Sequence, residues 1–405
     1  MIRTACASCD QPGLVTFLDL GESPVANEPP LSADTVDQTW PLQVAVCPAC
    51  SLVQTVHVVP DKVLFGGGYH FYSSASAPVL EHQERHAGWL LATFGRLARQ
   101  LTVEIASNDG SLLRHLAAAG GPTLGVDPAA GPSAVAAARG LDVLVEPFGL
   151  EVAMRIRDEH GPVGLVVASN VLAHVADLAD MLDGIHHLLD TLGVAVVEVQ
   201  YLPDLLIGNA FDLVYHEHRY FWSLTSLDAA CRRHGLAVMS AQLTEPQGGT
   251  LQAVIGKPSG LNWPEHNVGH LRQAERWLTD PAGYRSVQGR ADRIRQRLRD
   301  LVHEQKRAGR TVAAYAATAK AVTLLNWCDL GPDVIGYITD TTPDKIGRLL
   351  PGVHIPIVGR DSILTGPDVW LLTAWNYLGH ILRQEAAYTA AGGRWILPIP
   401  MPVLL

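Results

Sequence analysis

The chain has 405 residues, a formal net charge of −10, 48% hydrophobic and 17% charged residues. At roughly 150 residues per domain that supports about three cores. The acidic balance excludes a general nucleic-acid binder, which needs a basic surface, and no run reaches the ~20 apolar residues of a membrane span. The opening Met1-Ile2-Arg3-Thr4-Ala5-Cys6 contains no apolar leader. Six cysteines are too few for a disulfide scaffold at this length, so the expected location is the cytoplasm.

Cys6-x-x-Cys9 and Cys47-x-x-Cys50 form two knuckles. Each turns two thiolates toward one point, and four thiolates close a tetrahedral Zn²⁺ site with no position left for water. A redox pair would open a helix in a thioredoxin-like unit, and that pattern is missing. Two disulfides are the other alternative, while Cys231 and Cys328 read as packed thiols. Asp19 to Asn27 reads as a Pro- and Gly-punctuated loop, and Leu52 to Pro60 as a strand. The segment Leu64 to Ser74 follows with three glycines, Tyr69 and Tyr72. It either caps a pocket with its hydroxyls or links two domains. Pro78 to Arg99 is predicted as an amphipathic helix.

Thr102 to Leu113 reads as a buried strand, a tight turn at Asn108-Asp109-Gly110, and a helix start. A second strand, Thr123 to Val126, ends on Asp127. An acid after the second strand is placed to meet ribose hydroxyls. The phosphate-cradling G-x-G-x-x-G is absent, and an acid, Glu104, sits on the first strand instead. That charge suits a cationic cofactor, S-adenosylmethionine. An ordinary βαβ unit with a solvated turn is the plainer alternative.

Strands at 143–146, 163–169 and 194–199 alternate with helices at 133–139, 149–160 and 178–189. The pattern predicts an α/β, doubly wound parallel sheet. A hairpin follows at 236–243 and 250–256, as in the class I methyltransferase (Rossmann-like) sheet. Two groups sit at strand ends. The first is Asn170 to His174. The second is Tyr215-His216-Glu217-His218-Arg219-Tyr220, whose polar side chains are costly to pack unless they line a wet pocket. Histidine is poised to take a proton near neutral pH, and a neighbouring carboxylate can hold its tautomer. A His-rich surface loop and a metal site on His216 and His218 remain alternatives. Beyond Pro264 a charged helix, 285–307, precedes a second and smaller α/β domain with strands at 312–317, 334–340, 370–375 and 395–399. Its turns carry Lys320, Lys345 and Arg348, and the segment Asp344 to Arg348 can clamp a phosphate. The expected division is 1–75, 76–262 and 263–405.

These motifs, in this order over nearly the whole chain, resemble the nucleotide-sugar C-methyltransferase family, whose members make branched deoxysugars in antibiotic pathways. The resemblance runs through the Cys pairs, Asp19-Leu20-Gly21 with Ala26-Asn27, and Cys50 to Gln54. It continues through Tyr69 to Ser76, Glu104 to Gly110, Gly125 to Pro128 and Asn170 to His174. It then covers Tyr215 to His218, Lys320 with Leu324 to Asn326, and Pro351 to Pro356. It implies a small-molecule substrate, a dTDP-linked 4-ketosugar, methylated at C3 through an enolate by S-adenosylmethionine. Carried over by motif, His218 is the base and Glu217 its orienter. Tyr215, His174 and Tyr69 or Tyr72 contact the sugar or enolate. Glu104, Ala106, Asn108, Asp109, Asp127 and Asn170 line the cofactor site. Lys320, Lys345 and Arg348 are expected on the substrate side, the last two at the diphosphate.

The chain departs from that pattern on the substrate side. Tyr315-Ala316-Ala317-Thr318-Ala319-Lys320-Ala321 has Ala where the family's Tyr-Gly-Ala-x-x-Lys-Gly has Gly. Gln247 and Gln252 replace a His and an Arg, and Phe71 replaces a Tyr. A different ketone acceptor, proton transfer without methylation, and a zinc-containing scaffold are therefore rival readings.

Overall fold

In the computed structural model the chain is organised on three sheets, and the described residues are 2–65, 72–244, 249–258, 267–359 and 366–405. Tyr69, Phe71 and Gln247 lie outside them. The N-terminal sheet begins with β1 (Val15–Pro24), β2 (Thr39–Val46) and β3 (Val53–Thr55), paired antiparallel in that order. The expected loop at Asp19–Asn27 is therefore largely strand. Its ladder jumps between Asp19 and Glu22, where Gly21 takes a φ of +69°. A bulge of this kind tolerates the glycine that reads as a loop signal in sequence.

The central sheet holds β4 (Thr102–Ile105), β5 (Thr123–Val126), β6 (Val143–Leu144), β7 (Val163–Ser169) and β8 (Leu189–Gln200), all parallel. After β9 (Tyr220–Phe221) come β10 (Ala237–Thr244) and β11 (Thr250–Gly256). The order is β10-β11-β8-β7-β4-β5-β6, with β11 antiparallel to both neighbours. This is the class I methyltransferase sheet expected from the sequence. Successive strands are added in opposite directions on either side of the β4–β7 pair, and such a switch point opens the crevice where these folds bind ligands. β4 is buried along its length, and so is β7 up to its last residue, Ser169. This is the burial of a sheet covered on both faces. The helix expected at Pro78–Arg99 runs over Ala77–Phe94, with Ala87, Leu90 and Phe94 against Leu165, Val167 and Val196.

β9 belongs to neither neighbour in sequence. It pairs with β3, Val53 opposite Phe221 and Gln54 opposite Tyr220, as the fourth strand of the N-terminal sheet. The C-terminal sheet contains β12 (Val312–Tyr315), β13 (Ile338–Thr339), β14 (Ile357–Val358), β15 (Val369–Leu372), β16 (Arg394–Leu397) and β17 (Val403–Leu404). Its order is β14-β13-β12-β15-β16-β17, parallel except for β17. The strand expected at 334–340 shrinks to Ile338–Thr339, because Val334 and Ile335 are buried in a turn instead of a ladder. The helix Val287–Arg307 buries Ile294, Leu298, Leu301 and Val302 as its periodicity predicts. One apolar core runs from Leu18 and Val44 through Phe211 and Leu213 to Leu324 and Ile396, so N- and C-terminal modules share it.

Candidate functional site

The four knuckle thiols converge. Cys6 and Cys50 Sγ are 3.5 Å apart, Cys9 and Cys47 Sγ 3.6 Å, and all four lie within 4.8 Å of one another. A zinc at ~2.3 Å from each sulfur needs tetrahedral edges of about 3.8 Å, so the set fits that ion. Without the metal, Cys50 holds the Cys6 thiol down at about 4, while the Cys6 contact and burial push Cys50 up. Ser8 N–H and Gln54 Nε2 each donate to Cys6 Sγ at 3.4 Å, stabilising thiolate sulfur. Among the described residues these cysteines form the one cluster with metal-holding geometry. His216 and His218 point to different partners and share no ion.

The turn after β4 uses left-handed backbone at three residues: Ala106 (φ +58°), Asn108 (φ +51°) and Gly110 (φ +74°). Gly takes this cheaply and Asn tolerates it, so the strain falls on Ala106 and marks a specialised turn. Asp127, at the end of β5, accepts from Asn108 N–H at 2.8 Å and Ala129 N–H at 2.7 Å. Asp109 is fully buried, accepting from Ser111 Oγ at 2.5 Å and Ser74 N–H at 3.1 Å, and Ser73 N–H reaches Asn108 Oδ1 at 2.9 Å. Asp109 therefore ties the turn to the segment before the Ala77–Phe94 helix. Two acceptors lack partners. Glu104 Oε2 and Asn170 Oδ1 are buried and unbonded among the described residues, at the ends of β4 and β7. Burial first, then Asp127 and Asp109, hold the Glu104 carboxyl well above its ordinary range. Two orphaned oxygens and three acids around the switch point fit a cationic ligand. Tyr72 turns its hydroxyl to Gly131, where an added Cβ would sit 2.9 Å from it.

The Tyr215–His218 run follows the turn Phe211–Leu213. His218 Nδ1–H donates to Leu213 O at 2.8 Å, which leaves Nε2 as the acceptor, and the Tyr215 hydroxyl donates to it at 2.6 Å. His174 stands beside it, ring centroids 4.9 Å apart, its Nδ1–H on Glu217 O at 2.9 Å. Burial, then His174 and Lys320, lower His218 well below its usual value, and burial takes His174 to about 4. Both imidazoles are neutral at pH 7. The orienter of His218 is the Leu213 carbonyl, not Glu217. Successive side chains diverge here, so the Glu217 carboxyl points away, to Ala26 N–H (3.2 Å) and Asn27 Nδ2 (2.9 Å). Burial pushes it up to about 7.

The C-terminal module closes this side. Thr323 Oγ1, on the helix Ala319–Trp327, donates to Val214 O at 2.9 Å and docks that helix on the run. One turn earlier Lys320 is buried, bonded to Asn376 Oδ1, with Nζ 5.3 Å from the Trp375 ring centre and 5.9 Å from that of Tyr377. Burial lowers Lys320 to about 8, against Asp212, and raises Asp212 to about 6, against Lys320. Lys345 donates to Ala317 O at 2.9 Å and Arg348 to Pro29 O at 3.2 Å, so both have backbone partners here. Sequence reasoning missed Asp212, Trp375, Asn376 and Tyr377. Their signal was position alone: Asp212 lies three residues before Tyr215, and Trp375 at the end of β15.

Residues 6–65 match a family model described as a zinc binding domain, 81–241 one described as a methyltransferase domain, and 245–400 one described as a C-methyltransferase C-terminal domain. The chain is 33% identical over 404 residues to the C-methyltransferase NovU of Streptomyces niveus, covering 98% of this chain and 96% of that protein. The chain belongs to the C-methyltransferase family. It is an S-adenosylmethionine-dependent enzyme with a zinc-binding N-terminal module. Among solved structures, magnesium protoporphyrin IX methyltransferase from Synechocystis with bound SAH aligns at a TM-score of 0.34 and 14% identity, over 44% of this chain and 82% of that one. A protein from Pyrococcus horikoshii aligns at 0.37 and 12%, over 46% and 94%. No helix among the described residues is long and apolar enough to cross a membrane.

Proposed function

We propose that this C-methyltransferase adds its methyl to a carbon next to a ketone, C3 of a dTDP-linked 4-keto deoxysugar, in the cytoplasm, and that His218 removes the proton. The observation that carries the reading is the neutral His218, its Nδ1–H fixed by Leu213 and its Nε2 lone pair turned to the Tyr215 hydroxyl. A carbon acid needs a positioned base and donors for the oxyanion that forms. The acceptor displaces the Tyr215 hydroxyl from Nε2. The C3–H bond breaks, its proton goes to Nε2, and its electron pair moves onto the ketone oxygen. The released Tyr215 O–H donates to that oxygen. The enolate carbon then takes the methyl as the ketone reforms. The cofactor supplies a methyl on a sulfonium and departs as a neutral thioether, so the protein mainly aligns the partners.

Burial makes His218 a weak base in the empty site. With acceptor bound, imidazolium and enolate form as an ion pair in a low-dielectric pocket, which offsets that weakness. Lys320, close enough to depress His218, adds positive charge on the acceptor side. His174 presents Nε2 beside the same ring. Glu104, Ala106, Asn108, Asp109, Asp127 and Asn170 are assigned to the cofactor, with Glu104 Oε2 and Asn170 Oδ1 as the acceptors awaiting donors. Lys345 and Arg348 each spend one contact on a backbone carbonyl and keep further N–H donors for a diphosphate. The substitutions at Ala316, Ala321 and Gln252 favour keeping another ketone acceptor as a second reading.

The test is deuterium wash-in at C3 of a dTDP-4-keto deoxysugar, followed by methyl transfer. Wild type should do both, and His218→Ala should do neither. Full turnover by His218→Ala would remove the base assignment. Exchange by wild type without methylation of that sugar would favour proton transfer without methylation, and neither exchange nor methylation by wild type would favour another ketone acceptor.

A further inference from the structure

The run that carries the base takes most of its side-chain contacts from the zinc module, while Arg219 N–H and Tyr220 N–H donate to Ala173 O of the central domain at 2.7 and 3.3 Å. His216 Nε2–H donates to Ser23 O at 3.1 Å. Glu217 takes Ala26 N–H and Asn27 Nδ2 on one carboxyl oxygen. The Arg219 carbonyl accepts from Thr55 N–H at 3.0 Å, and its buried guanidinium donates to Val59 O at 3.3 Å and pairs with Asp61. Tyr220 and Phe221 pair as β9 with Gln54 and Val53 of β3. Gln54 itself reaches the metal knuckle. Its Oε1 accepts from Ala7 N–H at 3.0 Å, and its Nε2 donates to Cys6 Sγ at 3.4 Å. His218 is the exception in the run, turned to Leu213, Tyr215 and His174 instead.

We propose that the zinc module is the positioning element for the catalytic imidazoles, with Asn27 and Gln54 as its positioning residues. With the side chains of His216, Glu217 and Arg219 fixed on the zinc module, His218 is the side chain of the run turned to Tyr215 and His174. The Glu217 backbone carbonyl, pinned through its side chain by Asn27, holds the tautomer of His174. The metal in this scheme does no chemistry. It fixes the knuckles from which β3 and the Ala26–Asn27 loop reach the run. Glu217 connects the two domains without touching His218. A rigid second layer of this kind matters because a displacement of about 1 Å at reacting groups can cost roughly a hundredfold in rate. The inference rests on the reading of His218 as the base.

The experiment uses the full zinc-loaded chain with ¹⁵N-labelled histidine. Hydrogen-bonded Nδ1 protons of His174 and His218 exchange slowly with water, and His174→Gln and His218→Gln assign them. Asn27→Ala should raise the exchange rate of the His174 Nδ1 proton by about tenfold, the loss of one hydrogen bond to its anchor. Zinc stoichiometry and the S-adenosylmethionine affinity measured by calorimetry should stay within about twofold of wild type. Unchanged Nδ1 exchange in Asn27→Ala would overturn the proposal. So would a matching loss of cofactor affinity, which would make Asn27 a general stability residue. No acceptor is needed, so this result can fail separately from the His218→Ala turnover test.

Discussion

The Tyr215 hydroxyl lies 2.6 Å from Nε2 of His218, while Leu213 O holds Nδ1 at 2.8 Å. The two contacts together fix which nitrogen takes a proton. In the proposed mechanism Tyr215 has two tasks, guarding the lone pair in the empty site and donating to the oxyanion in the filled one. Tyr215→Phe removes the second task and leaves the base. It should lower kcat by roughly 10²–10³, the usual loss for one oxyanion donor, with KM changed little. Steady-state rates on the dTDP-linked ketosugar measure this. A rise in KM at constant kcat would instead make Tyr215 a plain binding contact.

Glu104 gives a pH prediction. Burial, then Asp127 and Asp109, raise its carboxyl well above the ordinary value. In the cofactor-free protein it keeps its proton at pH values where an unfolded glutamate has lost it. The folded state therefore binds more protons over that window. Its contribution to stability is present at low pH and falls as pH rises from the unfolded value toward the folded one. A cationic ligand beside Oε2 reverses the balance by favouring the carboxylate. S-adenosylmethionine binding should release a proton and tighten with rising pH. Calorimetry in two buffers of different ionisation enthalpy reads the proton directly. Glu104→Gln should abolish the buffer dependence and weaken binding, and an unchanged buffer dependence in that variant would assign the proton elsewhere.

Much of this was legible because it is local. CxxC spacing, the acid after β5 and the βα alternation each depend on a few adjacent residues, and the structure sets Asn108 against Asp127 and Glu104 near Asp127 and Asp109. Long-range choices were not legible. β9 is two residues long, and its partner β3 lies 166 positions earlier, Gln54 with Tyr220. Adjacency also misled at Glu217. Next to His218 in sequence, it points to Asn27 because neighbouring side chains diverge. Lys345 and Arg348 carry charge in turns, as expected, yet the carbonyls of Ala317 and Pro29 meet them first. The β1 bulge hid a strand behind the residues that normally end one.

Ala316 shows a cost that the sequence did hint at. At the position where the family pattern has Gly, this Ala takes a φ of +82° just after β12. A side chain in left-handed backbone costs roughly 1–2 kcal/mol. The position is kept because the Ala316 carbonyl accepts from Thr373 Oγ1 at 2.5 Å and from Thr318 N–H at 2.9 Å. Ala316→Gly should stabilise the protein by up to about 1 kcal/mol, the relieved strain less the freedom that Gly gains in the unfolded chain. Urea unfolding measures it. A destabilised glycine variant would mean that the left-handed turn is not strained.

Lys320 and Asp212 are buried together, and they must be altered together. Asp212 accepts from Trp375 Nε1–H at 2.6 Å on one oxygen, while its other oxygen has no partner among the described residues. Burial pushes it up to about 6 even with the ammonium nearby. Lys320→Met would leave that carboxylate uncompensated, at a cost of about 3–5 kcal/mol. Asp212→Asn alone strands the ammonium similarly. The double variant Lys320→Met with Asp212→Asn removes both charges and should regain most of the loss, so the coupling in a double-mutant cycle should exceed about 1 kcal/mol. Urea unfolding at pH 7 tests the cycle. Lowering the pH through 6 protonates Asp212, so the single Lys320→Met variant should lose less stability relative to wild type at pH 5 than at pH 7. Equal losses at both pH values would mean that Asp212 is already neutral and that the ammonium is balanced by another group.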